Sequence, residues 1–545
     1  MAHRPAAGQS LGEHRTGEVT VGSWLHRHRV LWPGLATGLV LAAAYLCTAA
    51  PGISWANNGG DGGDLIAAVV SGGVPHPSGY PSYWLLGRLF LAMPAADPAF
   101  RLTLLSAATM ALAGGTLSAI VAFAFGGGWG TAAALVAGLG FGLAPLPWSQ
   151  AVIVEVHGLN ALFAVITLGL IARLSSTDNG TWKDGALGLA AGLGVGNHLT
   201  LGLMLVPLAV ALWIRARSGQ GRRAIAVALA YLLGLAVYAL LPVLAARHPP
   251  VNWGDASTWS GFWWLVTGGP YRGLVFGLPL SEVPRRMASG AGLLLAQFGP
   301  IGLGMIGVGL AFGRSRRPWV DRTAAWMAGA YTLLALGYNA PDSSAYLIPA
   351  CVGLAWWLAL GLGVALSWVA RFRPRLTWMA LGMLVVAGTV RLPSVVRSID
   401  PGGDHRAQEY IDRVMRLAPR GALVLTSTDH DSFPLWYAQY ALGQRPDLRL
   451  VVVPLTQFDW YRRGLAYTYP DLSLPSTDSS DVWTWEAELL QRNPRPVCRT
   501  QVEGEGDGLQ VRLDCAPWTR HATAAVPARS PFRLRLGAAD GEGVF

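Results

Sequence analysis

Long apolar runs separated by short arginine-bearing tracts fill the first four hundred positions of the chain. Segments 32–50 (LWPGLATGLVLAAAYLCTA), 223–245 and 346–370 are the plainest of these runs. Each is long enough, as a helix, to cross a hydrocarbon core of about 30 Å while satisfying its own backbone polar groups. The same reading predicts spans at 32–50, 101–126, 130–147, 151–172, 185–199, 200–215, 223–245, 289–313, 323–338, 345–370 and 377–391, eleven in all. Segment 80–94 (YPSYWLLGRLFLAMP) is apolar but short and carries Arg88, so it reads as an interfacial or re-entrant helix. The first run follows an Arg-containing tail, and no A-x-A cleavage pattern succeeds it before the polar stretch at 57, so a retained helix is expected there.

Composition agrees with the pattern: 52% of the 545 residues are hydrophobic and 13% charged, with mean hydropathy +0.38, against about 25% charged in soluble domains. The net charge of +10 would suit nucleic acid if it lay on one soluble face. It is instead divided among tracts 15–29, 215–223, 313–322 and 371–375, between apolar runs. The expected partner is therefore a lipid bilayer and not nucleic acid, and the positive-inside rule sets these tracts in the cytoplasm. This predicts a cytoplasmic tail 1–31, a multi-span domain 32–391 with outer loops 51–100 and 246–288, and an extracytoplasmic domain 392–520. The expected location is the cell inner (plasma) membrane. Residues 521–545 show no pattern and are expected to be a poorly ordered tail.

The segment after 392 changes character. DHRAQEYIDRVMRLA (404–418) reads as a helix, ALVLTS (422–427) as a strand, 432–443 as a helix, LRLVVVP (448–454) as a strand and 457–466 as a helix, an alternation that predicts a small α/β unit with parallel strands. The expected fold class is thus an α-helical polytopic membrane protein with a C-terminal extracytoplasmic α/β domain. Further on, VCRTQV and LQVRLDC flank a turn at Gly506-Asp507; pairing Val502 with Val511 sets Cys498 opposite Cys515 in a position that favours a disulfide in an oxidising compartment. Cys47 and Cys351 lie in apolar runs as small core residues.

Polar residues that could carry chemistry gather on the outer face. In NNGGDGGDLIAAVVSGGVPHPSGYP, Asp61 and Asp64 stand three apart, so that both can share a helical face, one as general base and the other orienting substrate or metal. The alternative is a solvated turn with Asp64 capping the helix that follows. His76 sits between two prolines that fix its backbone, with Tyr80 after it. WSQAVIVEVHGLN puts Glu155, His157 and Asn160 in the first turns of a span, GLGVGNHLTLG puts Asn197 and His198 at an outer hairpin, and YNAPDSSAYLIP does so for Asp342. In 251–273, Trp253, Tyr271 and Arg272 stand among further tryptophans; an interfacial aromatic belt explains the tryptophans, while Arg272 is suited to a phosphate by a forked contact. Asp429, His430 and Asp431 follow a tail strand and precede a helix, on the usual ligand side of an α/β sheet, with capping an equal reading of Asp431. No GxGxxG, Walker A, HExxH or CxxC pattern occurs, so dinucleotide chemistry, nucleotide hydrolysis and the commonest zinc sites lack support.

The strings GGDGGDLIAAVVSGGVPHPSGYP, WSQAVIVEVHGLNALF and GLGVGNHLTL, together with TSTDHDSFPLWYAQ and RPDLRLVVVPL in the tail, resemble a bacterial family of polytopic proteins of unknown function related to the eukaryotic transmembrane O-mannosyltransferase. The resemblance implies a membrane glycosyltransferase of the GT-C superfamily that uses a polyprenyl-phosphate-linked sugar and a protein or glycan acceptor. It also implies an acidic base in the first outer loop, where Asp61 and Asp64 both match. No cofactor is implied with certainty, and a divalent metal stays open. A transporter or lipid flippase is the rival class, but it predicts inverted repeats and ionisable groups near the bilayer midplane, whereas the sequence shows no repeat and gathers its polar residues at one end.

Overall fold

The computed structural model describes residues 21–94, 97–125, 129–174, 182–476, 481–504 and 506–517. Most of the expected cytoplasmic tail and the segment 521–545 lie outside these. From the N-terminal side, α1 (Val21–Cys47) is followed by the outer-loop helices α2 (Gly62–Ser71) and α3 (Pro81–Leu91), then by α4 (Pro98–Ala124), α5 (Gly130–Gly142), α6 (Pro145–Ala151), α7 (His157–Leu174) and α8 (Trp182–Val195). Next come α9 (Leu205–Arg215), α10 (Gly221–Leu235), α11 (Leu240–Ala245) and the loop helix α12 (Trp259–Val266). The long helices α13 (Val283–Phe312), α14 (Pro318–Gly337), α15 (Ile348–Phe372) and α16 (Pro374–Ile399) complete the apolar part.

Among the described residues, six helices are long and apolar enough to cross a membrane, or seven if α5 and α6, bent by 62° at their break, form one span. This count falls short of the expected eleven. Runs 200–215 and 223–245 belong to one helical stretch, Leu199–Ala245, that is interrupted at Ser218 and Gly219. Helix α8 has 14 residues, which at 1.5 Å per residue falls short of the hydrocarbon thickness. The expected span 151–172 begins only at His157, because 152–156 leaves helical geometry. Segment 80–94 holds the short helix α3, as expected for an element that does not span.

Packing separates inner from outer helices. Helix α15 is largely buried, while α16 leaves nearly all its apolar surface exposed, the pattern of a helix facing lipid. Helices α13 and α15 touch through glycine: a Cβ on Gly361 would meet the Met305 carbonyl oxygen at 1.8 Å, so only glycine lets the two backbones approach this closely. At the end of the bundle far from the outer loops, the buried Asp184 of α8 takes Arg173 at 2.9 Å and Arg223 at 2.8 Å, which satisfies its charge.

The tail contains α17 (Arg406–Leu417), β1 (Leu423–Thr426), α18 (Asp429–Trp436), β2 (Arg449–Val452), α19 (Asp459–Thr468), α20 (Val482–Arg492), β3 (Val497–Glu503) and β4 (Gln510–Ala516). Strands β1 and β2 are parallel, as their alternation with helices predicts. The C-terminal hairpin joins the same sheet: β3 pairs in parallel with β1, giving the order β2-β1-β3-β4. Val502 faces Val511 and Cys498 faces Cys515, the expected register, and the cysteines are joined in a disulfide.

The tail grips the first outer loop. Asp404, just before α17, accepts hydrogen bonds from Ser54 Oγ at 2.8 Å and from the backbone N–H groups of Trp55 and Ala56 at 2.9 and 2.7 Å, while Arg406 holds its other oxygen at 2.6 Å. Burial pushes this carboxyl up, but the bonds from Arg406 and Ser54 outweigh it and hold the pKa at about 2. Asn57 donates to the Ile399 carbonyl at 2.7 Å, and Tyr437 to Asp97 at 2.8 Å. Helix α18 lies on α2 so closely that a Cβ on Gly63 would meet the Phe433 carbonyl oxygen at 2.3 Å.

Two outcomes follow. Non-reducing peptide mapping should recover Cys498 linked to Cys515; two free thiols in protein kept from reductant would contradict the sheet edge described above. Gly63→Ala should force α18 off α2 at a cost of about 1–3 kcal/mol, read as faster hydrogen exchange in 54–71 and 429–436. Gly52→Ala, where a Cβ meets nothing within 4 Å, should leave exchange unchanged; equal behaviour of the two variants would refute the close contact.

Candidate active site

Asp61 and Asp64 stand at the start of α2, and the helix gives them opposite surroundings. Asp61 occupies the position before the first helical residue, with its side chain 37% exposed. Asp64, one turn on, is fully buried. Asp64 Oδ2 accepts both the backbone N–H of His76 at 2.9 Å and its ring Nδ1 at 2.7 Å, and Oδ1 accepts Trp253 Nε1 at 2.9 Å. Three donors around a buried carboxylate compensate its lost hydration. The two aspartates thus differ in kind: Asp64 is committed to protein donors, and Asp61 faces open space.

That space is a cavity of about 270 Å³ lined by Asp61, Glu155, His157 and Asp342 among the expected residues, close to the lower end of the usual size of small-molecule sites, about 300 Å³. Trp55, Asn57, Asn58, Ser149, Gln150 and Ser344 complete much of its polar wall, and Gly506 from the β3–β4 turn reaches it from the tail. Glu155 lies in the non-helical loop before α7, not in a helical turn as expected, and its carboxylate is 3.8 Å from His157 Nε2. Backbone shape supports the wall: Asn57 and Asn58 both have φ near +60°, a conformation asparagine tolerates better than most residues, and Gln150 holds the Asn57 carbonyl at 3.0 Å.

His76 and Tyr80 stand behind Asp61. His76 Nε2 is 2.9 Å from the Tyr80 hydroxyl and 3.6 Å from Asp61 Oδ2. Burial alone would lower the imidazole, but the Asp61 charge and the Asp64 hydrogen bond outweigh it and raise its pKa to about 9. Trp253, a candidate of the tryptophan-rich loop, is buried and spends its N–H on Asp64. Asn160, Asn197 and His198 form a buried polar seam: Asn197 donates to the Val156 carbonyl at 3.2 Å, and Asn160 and His198 converge on Thr200 Oγ1 at 3.4 and 2.9 Å. None of these three lines the cavity. Tyr271 lies within electrostatic reach of Asp429 and Asp61, which together with burial push its hydroxyl up. Arg272 is exposed and turns back onto Thr267.

Two contributors escape a reading by outer-loop strings. Asp429, exposed at the start of α18, has its carboxyl raised to about 7 by desolvation among the atoms around it and by the charge of Asp61, with His76 pulling the other way. Its neighbour Asp431 is a cap, accepting the Thr428 N–H at 2.7 Å, the alternative open from sequence. The second is Arg286 of α13, whose Nη1 donates to Ser343 Oγ at 2.9 Å, beside the lining residues Asp342 and Ser344. Among the described residues no group of three or more His, Cys, Asp or Glu is set to hold a metal ion.

Residues 61–223 match the model for the protein O-mannosyl-transferase TMEM260 N-terminal domain, and residues 405–488 the model for TMEM260-associated domain 2. The protein O-mannosyl-transferase TMEM260 of Mus musculus is 26% identical over 455 residues, covering 76% of this chain and 62% of that protein. Its counterpart in Dictyostelium discoideum is 26% identical over 239 residues, 40% of this chain and 28% of its own length. The chain therefore spans less than two thirds of either relative. In fold it is similar to ArnT from Cupriavidus metallidurans bound to undecaprenyl phosphate, with a TM-score of 0.54 at 13% identity over 91% of this chain and 98% of that one. The Archaeoglobus fulgidus oligosaccharyltransferase gives a TM-score of 0.52 at 13% identity, over 87% and 70%. Two stretches of the chain thus match domain models of the TMEM260 O-mannosyl-transferases, and its fold is similar to those of ArnT and the archaeal oligosaccharyltransferase.

Proposed function

We propose that this chain is a membrane-embedded glycosyltransferase that moves a sugar from a polyprenyl-phosphate donor to an acceptor hydroxyl on the extracytoplasmic face, with Asp61 as general base. The observation that carries the reading is the sorting of the two aspartates: Asp61 alone of the pair opens into the cavity, while Asp64 is saturated by protein donors. The relatives named as O-mannosyl-transferases make mannose the sugar of choice, and ArnT with undecaprenyl phosphate gives precedent for the donor class. As the acceptor oxygen attacks the anomeric carbon, Asp61 takes the hydroxyl proton. The bond from that carbon to the phosphate oxygen breaks, the phosphate leaves with the electron pair, and configuration inverts.

Cations must offset charge on the departing phosphate. Arg286 suits this task better than Arg272, because its guanidinium reaches the cavity wall through Ser343. Glu155, His157 and Asp342 are left to hold sugar and acceptor hydroxyls. The orientation rests on the arginine tracts, which the positive-inside rule assigns to the cytoplasm together with the N-terminus.

In purified protein with labelled polyprenyl-phosphate mannose and a hydroxyl-bearing peptide, Asp61→Asn should lower turnover by about 10²–10⁴-fold without loss of folded protein. Full turnover by this variant would remove Asp61 as base, and an inactive wild type across donor sugars would return weight to a transporter. Arg286→Gln should raise the KM for the donor more than Arg272→Gln does; the reverse order would restore Arg272 as the phosphate arm. A thiol introduced at 410 should react with an impermeant reagent from outside in intact cells, and reaction only after permeabilisation would invert the assigned topology.

A further inference from the structure

We propose that His76 is a positioning residue that holds a positive charge against Asp61 at neutral pH, and that Asp64 serves to keep His76 charged. The inference rests on the reading of Asp61 as base and adds to it a reason for the buried pair behind.

Acceptors stand at both nitrogens of the imidazole. Asp64 Oδ2 is an acceptor, so His76 Nδ1, 2.7 Å away, carries a proton. The Tyr80 hydroxyl has one proton and donates it to the Pro77 carbonyl at 3.1 Å. At 2.9 Å from His76 Nε2 its oxygen is placed to accept from that nitrogen, which also faces Asp61 Oδ2 at 3.6 Å, so that the ring lies between two carboxylates, a setting that favours a proton on both nitrogens. A ring protonated on both nitrogens is an imidazolium. Its setting fixes the direction of the charge: the ring stacks on Phe433 at 6.5 Å and meets Tyr80 and Trp253 edgewise at 5.0 and 6.3 Å, which leaves Nε2 aimed at Asp61. The raised pKa of about 9 accords with this geometry.

The need for such a cation lies in the company Asp61 keeps. Asp64 from α2, Glu155 from the loop before α7, Asp342 from the segment before α15 and Asp429 from α18 all act on the same site; His198, from the turn after α8, faces the ring without adding negative charge. Carboxylates crowded together share protons, and one of them is driven to the neutral acid. A neutral Asp61 cannot accept the acceptor's proton. Burying His76 on a fully bonded Asp64 places one positive charge 3.6 Å from Asp61 without exposing a competing base to substrate.

The sign follows directly. Because His76 is raised, its charge is complete below the ordinary histidine value and is lost only as pH climbs through about 9. The wild-type rate should fall on the alkaline side near that value. His76→Gln keeps a polar side chain of similar reach but removes the charge. It should lower kcat and abolish the alkaline limb near 9. Asp64→Asn should act through the ring, bringing the alkaline limb down toward neutrality.

A readout independent of transfer accompanies the profile: ¹⁵N NMR of histidine-labelled protein in nanodiscs, with His76 assigned by its absence in His76→Gln. The expected wild-type spectrum at pH 7.5 shows both His76 nitrogens protonated, and Asp64→Asn makes that signal titrate near neutral pH. A neutral His76 at pH 7.5 overturns the proposal even if Asp64→Asn cannot be purified. A charged ring in the wild type with an unchanged kcat and alkaline limb in His76→Gln overturns its link to Asp61. Should Asp61→Asn prove fully active, the base assignment fails, while the spectrum still reports whether the buried pair exists.

Discussion

A buried carboxylate must be compensated or it destabilises the fold, and at Asp64 this requirement organises the whole outer face. Each charge-assisted hydrogen bond contributes about 1.5–3 kcal/mol, and Asp64 collects three, from two loops that are far apart in the chain. Its neighbours are fixed as a result. The loop carrying His76 is drawn against α2, the tryptophan loop is pinned through Trp253, and Asp61, one turn earlier, is left at the cavity with its direction set by the helix. Removing Asp64 would therefore disturb three segments, whereas removing Asp61 would disturb one carboxylate.

The tail completes this arrangement and does more than decorate it. Asp404 takes the hydroxyl and backbone donors of 54–56, and α18 rests on glycines that could carry no side chain without displacing it. The same contact brings Asp429 toward Asp61 and a turn of the β-hairpin to the cavity edge. The outer loop is thus held from the membrane side by Gln150 and from the tail side by Asp404.

Much of this was legible in the sequence. Apolar runs marked the helices, the alternation after 392 marked a parallel sheet, and the strand register around Gly506 placed Cys498 opposite Cys515 because a period of two leaves one choice of partner. The pair Asp61 and Asp64 stood out by spacing. Their division of labour did not, since it depends on Trp253, almost two hundred residues away, and on a histidine ring whose direction no spacing encodes. Span number was less legible, because a helix of 14 residues and one of 27 look alike as apolar runs until their ends are seen. Arg286 was passed over because it lies at a helix start outside the motif strings and gains meaning only through Ser343. The hairpin's place in the tail sheet was equally hidden, since a parallel neighbour seventy residues away leaves no local pattern.

The most direct test is a cryo-EM structure of the protein with a non-transferable polyprenyl-phosphonate analogue of the mannose donor. The account predicts the sugar in the cavity beneath Asn57 and Gln150, its anomeric carbon on the Asp61 side, the phosphonate toward Arg286, and His76 still seated between Asp64 and Asp61. Density for the sugar elsewhere, or a donor contacted by Asp64 with Asp61 turned away, would contradict it.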